Sequence, residues 1–453
     1  MRRTRSGTRG AARCAVLVTC AAMIVGGPMR GPAAAATPGQ PAQGQQSLSL
    51  GAVERTEFAR GAYLAKAADC AGCHTAPQGG APYAGGLGMA SPFGTIVSSN
   101  ITPDPQYGIG RYTYGDFERA LREGVARGGK RLYPAMPYVS FSKLSESDLH
   151  ALYVFMLNGV APVAKPTAAA DVAFPFNQRW ALRFWQMAFV PSQPFVPDPR
   201  RDPNWNRGAY LVQGPGHCGA CHTPRGMFYQ ESGTDESSSK YLVGGVNDHW
   251  FAPNLTGDRG SGLGRLTAAD LAAFLETGHG GGVIAYGSMV EQVEDSSQYL
   301  TQQDADAIAH YLKSLPAQQP SGTYTPGSDP ARSRANGSRV PDSLNLGFNV
   351  YRSFCTRCHR DDGRGVPNVF PALAANPSVI AEDTTSLIRL LVEGGNSPST
   401  LAQPQRQQMP GFAATLADVE IAQVLTYIRS AWGNNAQPVT ANDVATLRKE
   451  LHK

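Results

Sequence analysis

The sequence has almost no cysteine outside one motif. Of eight cysteines in 453 residues, Cys14 and Cys20 lie within the first 36 residues, and the other six fall in three copies of CxxCH. With that first segment set aside, no thiol remains for a structural disulfide, so any covalent staple must act through the motifs. Long apolar runs are also scarce. After residue 36 no stretch offers the roughly 20 uninterrupted apolar residues needed to span a bilayer, so a membrane contact would be peripheral. Charge of either sign is sparse, at 17% of residues, and the apparent basic excess is local. Six arginines (Arg2, Arg3, Arg5, Arg9, Arg13 and Arg30) sit in the first 36 residues beside no acid, and without that segment the net charge moves from +5 to −1. The remainder has no basic surplus, and nucleic acid is excluded as an expected partner.

What the first segment does contain is the layout of a secretory signal. Arginines precede the apolar run Cys14–Val25, and Ala34-Ala35-Ala36 offers a small-residue cleavage site before Thr37. Residues 1–36 are therefore read as a signal peptide and the chain as exported. Cys20 reads as filler of that peptide, since Thr19 suits a lipoprotein cleavage site poorly.

The three motifs are Cys70-Ala-Gly-Cys73-His74, Cys218-Gly-Ala-Cys221-His222 and Cys355-Thr-Arg-Cys358-His359. A CxxC pair can hold zinc, shuttle a disulfide or be alkylated by the vinyl groups of a haem. The histidine that follows separates these, because CxxCH is the sequence form of c-type haem attachment. Three covalently bound haem c groups are expected, on Cys70 and Cys73, Cys218 and Cys221, and Cys355 and Cys358. Attachment follows export of an unfolded chain, which favours the general secretory route over the twin-arginine lure of Arg2-Arg3.

The motifs sit in a repeat. Arg60-Gly-Ala-Tyr-Leu leads into the first and Arg207-Gly-Ala-Tyr-Leu into the second. Asn100-Ile-Thr answers Asn254-Leu-Thr, and residues 110–124 answer 264–278. The third unit is a more distant version. Each closes on a helix-like stretch (145–157, 301–315 and 417–432), with Ser145 and Thr301 as N-caps and an acid three residues later. A helix before CxxCH, a Gly/Pro-rich middle and a closing amphipathic helix make a mainly α unit whose thin apolar core a haem would complete. Between units one and two, residues 174–190 are dense in aromatics and carry Arg179 and Arg183. That stretch reads first as a core helix bridging two domains, then as a docking face or an interfacial membrane helix.

In a CxxCH haem the histidine is the proximal ligand, giving His74, His222 and His359. A distal Met or His makes an electron carrier, whereas an open position makes a small-molecule site. Met409 is the sole methionine after His359, in Gln-Met-Pro-Gly. Met289 fits unit two, where Met227 lies too near the attachment site and His279 is the bis-His alternative. Met136, in Tyr-Pro-Ala-Met-Pro-Tyr, fits unit one; Met156 reads as core, and Met89 follows the motif too closely. For each the competing reading is a buried gap-filler.

The ordered set RGAYLAKAADCAGCHTAP, SSNITPDPQYGIGRYT, YPAMPY, RGAYLVQGPGHCGACHTP, APNLTGD and MPGF resembles the triheme cytochrome c subunit of bacterial membrane-bound dehydrogenases for alcohols, gluconate, sorbitol or fructose, from about Arg60 to Trp432. The resemblance implies a mainly α fold of three tandem class I-type cytochrome c domains with Gly/Pro-rich loops. Their expected bounds are 51–165, 201–316 and 344–434, with an aromatic-rich connector at 166–200, a linker at 317–343 and a tail at 435–453. It carries over the ligand pairs His74/Met136, His222/Met289 and His359/Met409. It also implies a non-catalytic electron-transfer subunit at the periplasmic face of the inner membrane, between a quinoprotein or flavoprotein dehydrogenase subunit and ubiquinone. A free-standing periplasmic carrier and the cytochrome subunit of a molybdenum hydroxylase are the alternatives. The tail, with Val444, Leu447 and Leu451 as an apolar stripe, reads as a docking element rather than an anchor.

Overall fold

The computed structural model describes residues 43–191, 193–327 and 344–451. The expected signal peptide lies outside them, as does most of the expected linker. Residues 51–453, which hold all three CxxCH motifs, form one compact body.

Helices dominate, and they come in three sets. Leading helices end just before each CxxCH, at Gln43–Ala67, Pro203–Gln213 and Asn345–Phe354. Middle helices span Tyr114–Glu123, Ala268–Thr277 and Thr385–Glu393, and closing helices span Glu146–Asn158, Gln302–Ser314 and Asp418–Ser430. The caps read from sequence form: Ser145 Oγ accepts from Asp148 N and Thr301 Oγ1 from Asp304 N, each worth about 1 kcal/mol. Thr113 and Thr267 cap the first two middle helices reciprocally with Asp116 and Asp270. Strands are short, the largest sheet being Gly88–Ser91, Gly94–Val97 and Asp171–Val172, paired Ser91 to Gly94 and Thr95 to Asp171.

Each leading helix crosses its closing helix at a glycine. A Cβ on Gly61 would lie 2.0 Å from Ala151 O, on Gly208 2.0 Å from Ala307 O, and on Gly347 2.1 Å from Gln423 O. The backbones touch there, which only glycine permits.

The residues around that glycine explain the repeated Arg-Gly-Ala-Tyr. Arg60 bonds Asp148 on its own closing helix, and Arg207 bonds Asp304 on its own, with both N···O distances at 2.7 Å for the second pair. The tyrosines reach the other way. Tyr63 donates to Asp304 at 2.5 Å and Tyr210 donates to Asp148, so the first two units exchange hydrogen bonds reciprocally. Burial alone would raise the Asp304 pKa, but the bonds from Arg207 and Tyr63 outweigh it and hold the carboxylate below its usual range. The third unit has Leu346 and Asn349 at the corresponding positions and cannot make this exchange.

The apolar interior follows the same division. One core runs through both of the first two units, from Leu64 to Leu315, and a second fills the third unit from Phe348 to Leu447. The C-terminal stretch belongs to the second core: helix Ala441–Leu451 buries Val444 and Leu447 on its own unit. Arg429, almost fully buried, joins that region by donating to Val379 O, Ala381 O and Gln437 O. Ahead of the third unit, Thr323–Tyr324 pairs with Asn434–Asn435.

The aromatic stretch 174–190 departs from the core reading. Its helix Leu182–Phe189 turns Gln186 inward and leaves Phe184 and Met187 outside.

Candidate functional site

The three CxxCH motifs each form one helical turn, at Cys70–Cys73, Gly219–His222 and Thr356–His359. Backbone bonds close the turn, from His74 N to Cys70 O (3.0 Å), His222 N to Cys218 O (3.0 Å) and His359 N to Cys355 O (2.9 Å). Residues three and four apart share a helix face, so both cysteines and the histidine can meet one planar group. All six thiols are unpaired. Burial pushes those of Cys70, Cys73, Cys218 and Cys355 up to about 12, whereas a disulfide shuttle needs a depressed thiol pKa. Among the described residues no cluster of three His, Cys, Asp or Glu could hold a metal ion, so the zinc reading lacks its further ligands. This donor set fits covalent haem c.

The imidazoles are held one way in all three places. Nδ1 of His74 lies 2.6 Å from Ser99 O, that of His222 2.7 Å from Pro253 O, and that of His359 3.0 Å from Pro371 O. A carbonyl only accepts, so Nδ1 carries the proton and the Nε2 lone pair is left free to ligate a metal. Burial lowers the pKa of each ring, against the carbonyl bond that raises it, and keeps the ring neutral as a ligand must be. The carbonyls were not among the residues picked out from sequence, but their neighbours were. Asn100 and Asn254 directly follow Ser99 and Pro253. Their side chains accept from Thr102 N (2.9 Å) and Thr256 N (2.8 Å) and donate to Val163 O and Gln318 O, which fixes the loop that presents the carbonyl.

Met136 and Met289 occupy the same local turn. In Tyr133-Pro-Ala-Met136 and Tyr286-Gly-Ser-Met289 the methionine N–H bonds the tyrosine carbonyl three residues back, at 3.2 Å in both. Met409 stands in a two-residue strand opposite Gly395. All three are half-buried, while Met156 is in the core, Met227 is 92% exposed and Met89 pairs with Ile96 in a strand. His279, the other distal candidate in unit two, has both ring nitrogens engaged, Nδ1 with Thr277 O at 2.9 Å and Nε2 with Gln403 at 3.4 Å. His150 and His310 are surface residues beside Glu57 and Asp202.

The second site lies between the other two. The Cys73 thiol is raised by burial first, then by the charges of Asp69 and Cys221, which places the first and second motifs side by side. Ser296 Oγ reaches Ala67 O (3.3 Å), and His217 Nε2 lies 3.4 Å from Ala68 O. On the other side, Ala372 N, next to the carbonyl that holds His359, bonds Gly282 O at 2.9 Å, and Ser399 N bonds Glu294 at 2.6 Å. Asp69 is buried at the first motif, and its pKa is raised to about 7, by burial first and then by the Asp295 carboxylate.

Residues 344–432 match the cytochrome c family model. Over 396 residues the chain is 46% identical to the cytochrome c subunit of a quinone-dependent alcohol dehydrogenase from Gluconacetobacter polyoxogenes, covering 86% of this chain and 83% of the relative. It is 44% identical to the gluconate 2-dehydrogenase cytochrome c subunit of Pantoea cypripedii (86% and 89% covered) and 36% identical to the fructose dehydrogenase cytochrome subunit of Gluconobacter japonicus (87% and 83%). No helix among the described residues is long and apolar enough to cross a membrane. With three equivalent CxxCH turns and likeness along most of its length, the chain belongs to the family of dehydrogenase cytochrome c subunits that includes these three proteins.

Proposed function

We propose that this chain carries three haem c groups in three tandem class I-type cytochrome c domains, at about 51–165, 201–316 and 344–434, and relays electrons from a dehydrogenase subunit to ubiquinone. In this reading Cys70 and Cys73, Cys218 and Cys221, and Cys355 and Cys358 form the thioethers, and His74/Met136, His222/Met289 and His359/Met409 are the axial pairs. Bound haem supplies a reversible one-electron couple whose potential a Met ligand raises relative to a second imidazole. The protein's part is to hold each His neutral and oriented, to shield the site, and to set the three sites in contact around the second. The partner would be a quinoprotein or flavoprotein subunit oxidising an alcohol, aldose, polyol or sugar acid, at the periplasmic face of the inner membrane, with the cytochrome in peripheral contact with the lipid.

The observation that carries this reading is the recurring His Nδ1 to backbone carbonyl bond, which prepares three Nε2 atoms alike. Its test is isolation from native membranes in mild detergent, identification of what co-purifies, and recording haem reduction as alcohols, aldoses, polyols and sugar acids are added singly. Reduction by one class, with a dehydrogenase subunit present and reoxidation by added ubiquinone, is the expected result. A sample reducible by ascorbate but by no such substrate, and free of any partner, would overturn it in favour of a free-standing carrier.

A further inference from the structure

The segment 174–190 inverts the usual order of a surface helix. In helix Leu182–Phe189 the polar Gln186 is buried, donating to Gly124 O at 3.0 Å and accepting from Arg131, while Phe184 and Met187 are 63% and 73% exposed. Just before it Phe174 is 78% and Trp180 68% exposed. The patch continues onto a second loop, where Phe228 stacks 6.1 Å from Phe189 and its carbonyl accepts from Trp185 Nε1 at 2.9 Å. The segment is anchored to the loop beneath: Arg179 donates to Arg131 O at 2.6 Å and lies 4.1 Å over the Tyr133 ring. A contiguous outward aromatic patch held this firmly marks an interaction surface.

Its charge identifies the occupant. No acid occurs between Asp171 and Asp198, and none between Glu123 and Glu146 in the loop beneath. The cations are Arg179 and Arg183 on the segment and Lys130 and Arg131 on that loop, where Arg127 is instead paired with Asp116 at 3.7 Å. Burial and the nearby Arg179 charge lower the Lys130 pKa, which places these two cations together. Glu231 and Asp235 share a cleft with Phe189, and their charges act on the buried Lys143. Exposed Trp and Phe mixed with Arg and Lys, without acids, complement the headgroup region of an anionic bilayer, where rings lie at the acyl boundary and cations meet phosphates. We infer that the Phe174–Phe189 segment with the Phe228 loop is the surface by which this chain lies on an anionic lipid membrane. The inference rests on the membrane placement proposed above and supplies its contact.

The test uses the full haem-loaded chain with vesicles of equimolar phosphatidylglycerol and phosphatidylcholine, and with phosphatidylcholine alone, scored by flotation. The wild type should float with the anionic vesicles, less so at high salt, with a blue shift of tryptophan emission as Trp180 leaves water. The variant W180S/F184S/M187S should lose about ten-fold in partitioning, and R183Q/K130Q should lose the preference for anionic lipid. All five side chains point outward, so an unchanged haem spectrum and melting temperature would confirm an intact fold. A triple variant that floats like the wild type would overturn the inference. So would one that keeps lipid binding but no longer co-purifies with the dehydrogenase subunit, which would make the patch a protein interface. Reduction by the dehydrogenase in detergent is independent of lipid, so its persistence in the triple variant separates failure of this surface from failure of the electron-transfer reading.

Discussion

A thioether and an imidazole differ in how well they tolerate ferric iron, so a distal methionine is tested by exchanging it for histidine. Met136→His should lower one of three potentials by on the order of 0.1–0.3 V, a fraction of the roughly 0.8 V range that axial ligands span, and leave the other two in place. Spectroelectrochemical titration reads this directly, and three unmoved potentials would remove Met136 from the ligand set. Asp69 gives a second prediction. Its folded pKa, about 7, lies above the ordinary 3.8, so the folded state holds the proton more tightly than the unfolded chain. The associated stability is complete below about pH 4 and is lost as pH rises through about 7. Melting temperature should therefore fall across that window, and Asp69→Asn should flatten the fall. At this scale the three CxxCH turns were legible because side-chain type and spacing encode them. Ser99, Pro253 and Pro371 were not, since they act through carbonyls that every residue has. The Asn-x-Thr repeat was the visible trace of two of them.

Helices were legible where a cap and an apolar period coincide, as at Ser145 and Thr301. The stretch 174–190 was harder, because its aromatic content fits a core, a membrane face and a docking face alike. Only the position of Gln186, buried against Gly124 O, decides which side faces out. The glycine of Arg-Gly-Ala-Tyr appeared in sequence merely as part of a repeat; its reason is the crossing of two backbones. Gly61→Ala or Gly208→Ala should destabilise by about 3 kcal/mol, the upper end of overpacking costs. Gly115→Ala, at an exposed helix position with open space around its Cβ, should instead stabilise by roughly 0.5–1 kcal/mol. Calorimetric melting of the three variants checks both signs, and equal effects would contradict the crossing account.

For the whole molecule, three tandem copies could be counted from the chain, but not how they pack. The first two share a core while the third keeps its own, and nothing in the periodicity of any one helix distinguishes those outcomes. The difference lies in a few polar positions. Tyr63 to Asp304 and Tyr210 to Asp148 form an isologous contact, in which each unit gives the other what it receives. Such a contact closes on itself. Once the two units have met through it, neither has that face left to offer, so repetition of the same unit cannot extend into an open filament by the same rule. A third copy had to attach by another surface, and Leu346 and Asn349 are where its sequence gave up the means to compete for the first.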